Sequence, residues 1–481
     1  MLKQEEITTD NINEKPILTR TLMINMFWCL GLSLYWVIFL WRFWEKDVYA
    51  LGLNACIFFL GLLTMFILPL YYEKKIVKKD LYWIIPLFLI PFSYLFYSNP
   101  FIKAINIFIY PMLGFLFINY GYLHDKEKRY WGINFISNFI SRFFSFFGKI
   151  INAINYYIKM LSPRKQGTTL KVIIGIILLL LIALTIIFPL LSSADPVFGN
   201  KLEVVYDFIN KYIAEIVIAK IIFFIIFSIL LFSFLLAWAK IFNYPEKQEN
   251  EKKVDSIISG IVLSGIFIIY LLFLWIQIER LWIGSLPFEF RETENLVKSG
   301  FWQLFFLSGL NTLIYFFTYR KTNALVQKIL VAFTLASLLL LFSAGQRMAF
   351  YVVNYGFSYE KFFASYTVIY CAILFGWLFF CLFRKERANI LKFLVFLFLW
   401  MYAIITVLPI EQFILHANVN LSKRSESRIH LFELTMLSTD VLSSVKKYKS
   451  EGVLKDDWQP WILKQEKRLA EKRWYEYNFN Y

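Results

Sequence analysis

With 59% hydrophobic and 20% aromatic residues against only 17% charged, this chain of 481 residues cannot be a soluble enzyme. Soluble domains are about a quarter charged and under half apolar, and the surplus would lie bare to water. The same figures exclude disorder, collagen and disulfide scaffolds, leaving an all-α polytopic membrane protein.

Residues 1–21 are a polar segment of mixed charge, without the apolar core or cleavage site of a signal peptide. Apolar runs near or above the roughly 20 residues that cross a bilayer then recur at 22–43, 48–70, 81–97, 101–120, 170–191, 214–242, 254–281, 298–319, 323–344, 360–383 and 388–408. Eleven spans are expected. Pro86, Pro91, Pro100 and Pro111 interrupt the third and fourth runs, where a missing backbone donor kinks a span or makes the two a re-entrant pair.

The connection 121–169 holds polar residues at Asn134, Ser137, Asn138, Ser141, Arg142, Ser145, Lys149, Asn152, Asn155 and Lys159, in steps of three and four. That spacing predicts an amphipathic helix in the inner-leaflet interface, anchored by Arg142, Lys149 and Lys159. In the sixth run Lys220 and Lys240 bracket an uncharged stretch, each close enough to an interface to snorkel there. Ser256, Gly260 and Ser264 give the seventh a close-packing face. Cys29, Cys56, Cys371 and Cys381 all fall inside apolar runs, without metal or redox spacing.

Lys and Arg in the alternating connections divide about 23 to about 5. The rich set includes Lys74, Lys75, Lys78, Lys79, Arg320, Lys321 and Arg384. The amino terminus is therefore expected in the cytoplasm and the carboxyl terminus outside. Much of the net charge of +16 then sits against anionic headgroups, so no nucleic acid is needed. Four domains follow the first segment: spans at 22–120, the connection at 121–169, spans at 170–408, and an outer helical tail at 409–481. The tail's patterns read as two or three amphipathic helices that cap the outer openings.

The poorly basic side gathers the polar chemistry: Asp195 after the fifth span, Arg291, Glu294 and Lys298 before the eighth, and Arg347, Tyr351, Asn354 and Tyr355 after the ninth. With Trp302 and Gln303 these ten residues form the expected ligand-binding set. A guanidinium beside aromatic walls suits an oxyanion, which it grips in fork geometry. Nucleotide-binding, zinc-hydrolase, redox and nucleophile-elbow motifs are absent. The three histidines, His124, His416 and His430, stand apart. Neither a cofactor nor a metal is expected.

The order DPVF, GFWQL and RMAFYVVNYG resembles a bacterial membrane-protein family classed as a domain of unknown function, the 4153/4173 group. Asp195, Lys298, Gly300, Phe301, Trp302, Arg347, Met348, Tyr351, Tyr355 and Gly356 carry the likeness, joined in the tail by LTMLSTDVLSSV and RWYEYN. Lys298 stands where the family has arginine, and Glu294 is one residue early, with Asn295 in the glutamate register. The resemblance spans roughly residues 185 to 481. It implies a multi-pass protein of the bacterial cytoplasmic membrane and supplies no activity.

Three functional classes fit. A binding or regulatory protein of the cell envelope with an outward-facing polar vestibule is favoured, because neither a catalytic nor a coupling signature is present. A lipid or glycan carrier would show a continuous polar groove. An envelope-modifying transferase would need a carboxylate such as Asp195 or Glu294 beside a substrate hydroxyl. The expected partners are membrane lipids, an anionic lipid or lipid-linked glycan, and an envelope protein.

Overall fold

The computed structural model describes residues 20–123, 131, 133–161, 179, 215–239, 254–281, 305–384, 389–425 and 427–479. Among these residues every regular element is helical. The first half comprises α1 (Arg20–Tyr35, continued by a π turn to Leu40), α2 (Leu53–Tyr72), α3 (Leu81–Leu89), α4 (Phe92–Phe96) and α5 (Pro100–Leu123). Next come α6 (Ile133–Leu161), α7 (Glu215–Ala239) and α8 (Ser256–Leu281). The short α9 (Phe305–Thr318) precedes α10 (Ala324–Tyr355), α11 (Tyr359–Arg384) and α12 (Ile390–Val407). The tail folds as α13 (Ile410–Ser422), α14 (Leu442–Ser450) and α15 (Gln459–Ala470), joined by 3-10 turns.

Among the described residues nine helical stretches are long and apolar enough to cross a membrane, and they fall on nine of the eleven expected runs. The short α9 covers part of the eighth run, and the fifth lies outside the described residues. This is a multi-pass membrane protein. The third span is broken between Leu89 and Phe92, at Ile90 and Pro91. Pro69 and Pro111 are instead held inside α2 and α5.

Two apolar clusters fill the bundle. One unites α1, α2, α3, α5, α7 and part of α12 around Phe59, Phe66, Leu87, Phe117 and Phe232. The other joins α8 to α12 around Leu263, Phe333, Leu340 and Phe375. The small-residue face of α8 meets α10, where a Cβ on Gly260 would lie 3.4 Å from Val326 Cγ2. Ile257, Ile261 and Trp275 on the same helix stay exposed, as lipid-facing side chains do.

One expectation changes at two positions, Asn138 and Arg142. The polar stripe of α6 does not anchor in headgroups at Arg142, which is only 1% exposed. Its Nη1 donates to Trp238 O at 2.9 Å and its Nε to Asn138 Oδ1 at 3.2 Å. Asn138 donates in turn to Asn119 Oδ1 at 3.0 Å. The last turn of α7 leaves carbonyls without intrahelical donors at the negative end of the helix dipole, and a buried guanidinium satisfies one of them. Phe144 and Phe147 of α6 are exposed, but so are Ser141, Asn152 and Lys159 of its polar stripe, while Phe135 and Phe146 are buried. Lys220 rests over the Trp41 ring at 5.5 Å, while Lys240 lies outside the described residues.

The ends of α1, α4, α10 and α12 and the starts of α2, α5 and α11 meet the tail, forming one end of the bundle. Ile414, Leu415, Val441, Val445 and Trp458 of the tail share a cluster with Ile102 of α5 and Ile405 of α12. Beyond α15, residues 471–479 run back across the α1–α2 turn as a strap. Arg42 grips both oxygens of Glu476 at 2.7 and 2.9 Å, and Phe479 N donates to Leu95 O at 2.8 Å. A Cβ on Gly52 would collide with the Glu476 carbonyl, so the crossing needs glycine there.

Glu476→Gln is expected to lower stability by about 3 kcal/mol, because it strands a largely buried arginine. The measurement is thermal unfolding in detergent together with protease cleavage in the strap. An unchanged midpoint and cleavage pattern would reject this role.

Candidate functional site

Asn323 starts α10 by accepting from Val326 N at 3.0 Å, as an N-cap side chain does. The helix then carries Arg347, Tyr351 and Tyr355 at spacings of four, which places them on one face. It stops at Gly356, whose φ of +75° suits glycine and whose Cβ would meet Asn418 Oδ1 at 2.7 Å. Asn418, from the tail, brackets the next residue: Phe357 N donates to its Oδ1 at 2.6 Å, and its Nδ2 donates to Phe357 O at 2.8 Å.

That turn returns Lys361 of α11 over the end of α10. Its ammonium sits 4.5 Å from the Tyr351 ring centroid and donates to Gly356 O at 3.0 Å. A cation is favoured there both by the orphan carbonyls and by the ring's quadrupole. Arg428, from the tail, donates from Nη1 to the Tyr355 hydroxyl at 3.3 Å and from its backbone to Asn354 O at 3.0 Å. The Tyr351 and Tyr355 rings lie 5.2 Å apart, and Tyr351 is 2% exposed.

Three expected residues, Tyr351, Asn354 and Tyr355, thus share one site with Lys361 and Arg428, and Arg347 lies one turn before Tyr351 on the same face of α10. The other six, Asp195, Arg291, Glu294, Lys298, Trp302 and Gln303, lie outside the described residues. Lys361 could have been found from sequence as the first cation after the α10–α11 turn. Arg428 carries no such signal, because only the tertiary fold of the tail delivers it.

A protein-family model described as "Domain of unknown function (DUF4153)" matches residues 84–448. The chain belongs to the DUF4153 family. No curated protein and no solved structure matches the chain. The DUF4153 match begins within α3 and ends within α14. It includes the whole Arg347–Arg428 site and leaves out α1, α2, α15 and the strap.

The tail of this DUF4153 protein also roofs a second group of ionisable residues. Asp440, 4% exposed, accepts from Ser98 N with both oxygens, at 2.6 and 2.8 Å. Glu411, 2% exposed, accepts at 2.7 Å from both Ser438 N and Ser438 Oγ, and from the Tyr359 hydroxyl. Lys103, 1% exposed, donates to Leu51 O. Lys472 donates to Asn478 Oδ1 at 2.9 Å and Ser98 Oγ at 3.3 Å.

Burial pushes the Glu411 carboxyl up to about 8, helped by the charge of Asp440 and opposed by the hydrogen bonds from Tyr359 and Ser438. Burial raises Asp440 as well, against the Ser98 N–H and the positive Lys103 and Lys472. The same desolvation lowers Lys472 to about 8, against Asp440 and Glu476. Sequence reading missed this cluster because its members come from α5, α13, a 3-10 turn and the strap. Among the described residues no group of three or more His, Cys, Asp or Glu is placed to hold a metal ion.

Gly356→Ala is expected to destabilise the fold by about 1–3 kcal/mol through its backbone conformation, with the Asn418 contact adding to that. In an Asn418→Ala background the added cost should shrink, since the atom the new methyl meets is gone. A double-mutant cycle of unfolding midpoints measures the coupling; strict additivity would contradict it.

Proposed function

We propose that this protein binds a phosphate-bearing anion, a lipid headgroup or lipid-linked glycan, at the tail-covered end of the bundle, and serves as a binding or regulatory protein of the envelope. The convergence of Lys361 and Arg428 on the Tyr351–Tyr355 pair, one and two turns beyond Arg347, carries the reading. Arginine supplies forked donors to an oxyanion, lysine supplies a point charge, and the rings give an apolar wall for a chain or sugar. The cations come from three separate elements, so the cluster depends on the tail being docked.

The same reading places the tail outside the cytoplasm. Its support is the distribution of charge: Lys74, Lys75, Lys78, Lys79, Arg320, Lys321 and Arg384 lie at helix ends away from the tail, as positive-inside bias favours. A bacterial cytoplasmic membrane is the setting this orientation suits.

The test is native mass spectrometry of the purified protein with short-chain phosphatidylglycerol, and phosphatidylcholine as the neutral-headgroup control. The wild type should hold a discrete phosphatidylglycerol adduct. Arg428→Gln should weaken it about tenfold, the loss of one charge-assisted hydrogen bond. Equal adducts in both proteins, or equal binding of the two lipids, would reject the site.

A further inference from the structure

The junction between tail and bundle encloses more ionisable groups than anchoring requires. Beneath α13 lies a cavity of about 10 Å³ whose lining includes Tyr97, Asn99, Glu411 and Asp440. That volume is at the lower limit for admitting one water molecule. Asn99 is buried, its Oδ1 accepts from Ile102 N at 3.0 Å, and its Nδ2 has no hydrogen-bond partner among the described residues. An unsatisfied donor beside two carboxylates is the setting of a bridging water, and such a water gives protons a route to the carboxylates.

We propose that Glu411 is a proton-binding site that couples docking of the tail to ambient pH, with Asp440, Lys103 and Lys472 as its ionisable surroundings. The groups that face it come from every neighbouring element. Asp440 lies on the turn before α14, Lys103 on α5, Tyr359 on α11 and Tyr97 on the α4–α5 connection; Lys472 comes from the strap, with the Arg42–Glu476 pair behind it. Glu411 and Asp440 line the cavity together, Lys103 and Lys472 act on Asp440 from beside it, and burial of the two carboxylates favours their neutral forms. When Glu411 takes up a proton, the Tyr359 hydroxyl can reverse from donor to acceptor and keep the contact.

The direction of the effect follows from which state binds more protons. In the docked tail Glu411 holds its proton up to about pH 8, whereas an undocked, solvated glutamate loses it near pH 4.3. Between those values the docked state carries one extra proton, so docking weakens as pH rises, by up to about tenfold per unit. Lys472 acts above that window. Its docked form gives up a proton near pH 8 and its free form near pH 10.4, so docking strengthens again at higher pH. The tail is held least firmly near pH 8 and more firmly as the medium acidifies. This inference is independent of the anion site, because its readout is the tail itself.

Hydrogen–deuterium exchange of the full-length protein in lipid nanodiscs, at pH values from 5.5 to 8 and corrected for intrinsic exchange, tests it. Protection of the amides of Ser98, Ser438 and Asp440 should fall by up to about tenfold per unit as pH rises. In Glu411→Gln, which keeps an acceptor for Ser438, this slope should vanish while the rest of the bundle stays protected. A flat wild-type profile would overturn the proposal, and so would a slope that survives in Glu411→Gln. Should that variant fail to fold, the wild-type profile alone still decides whether docking is proton-linked, and Asp440→Asn should move its midpoint downward by removing the negative neighbour of Glu411.

Discussion

Ionised side chains at the tail end of this bundle are kept from water by other parts of the same chain, and each must therefore find its donors or counter-charges within the protein. Helices surrounded by lipid gain little from hydrophobic contact with one another. Polar bonds and close packing set their arrangement instead. Arg42 with Glu476 and Asp440 with Ser98 join segments from opposite ends of the sequence, and Asn418 with Phe357 ties the tail to the α10–α11 turn. Within the spans the same need is met by neutral groups: Tyr402 donates to Asn106, which donates to Ser93, and Tyr270 donates to Asn311, which donates to Ser337.

The last span, α12, is where these parts meet. Leu399 and Ala403 belong to the cluster of the first helices, Ile390 to that of the later ones, and Ile405 to that of the tail. The Tyr97 hydroxyl donates to Val407 O at its end, while Tyr366 and Tyr370 of α11 donate to Met401 O and Leu394 O along its length. Pro409 then ends the span and starts α13, which carries Glu411 in its first turn and Asn418 in its third. The tail's position is thus set by the span that binds the two halves of the bundle.

Membrane character and most spans were legible in the sequence, because crossing lipid demands a long apolar run and little else resembles one. Side-chain direction was less legible. The α6 stripe has the period of an interfacial helix, and period alone cannot show that two of its members, Asn138 and Arg142, turn instead to Asn119 and a carbonyl of α7. In the candidate site, Arg347, Tyr351 and Tyr355 were visible since four-residue spacing aligns them locally. Arg428, Glu411 and Asp440 were not, because their surroundings arise from contacts between distant segments.

The strap gives assembly a time order. Arg42 and Glu476 are separated by 434 positions, so ribosomal synthesis exposes the α1–α2 turn long before its cover exists. Until then the backbone around Gly52 and the Arg42 guanidinium face water or some temporary neighbour. Closure by residues 471–479 can come only after the spanning helices between them have been made, so it reports that the bundle is complete. A protease that samples this turn would therefore distinguish nascent chains from finished ones.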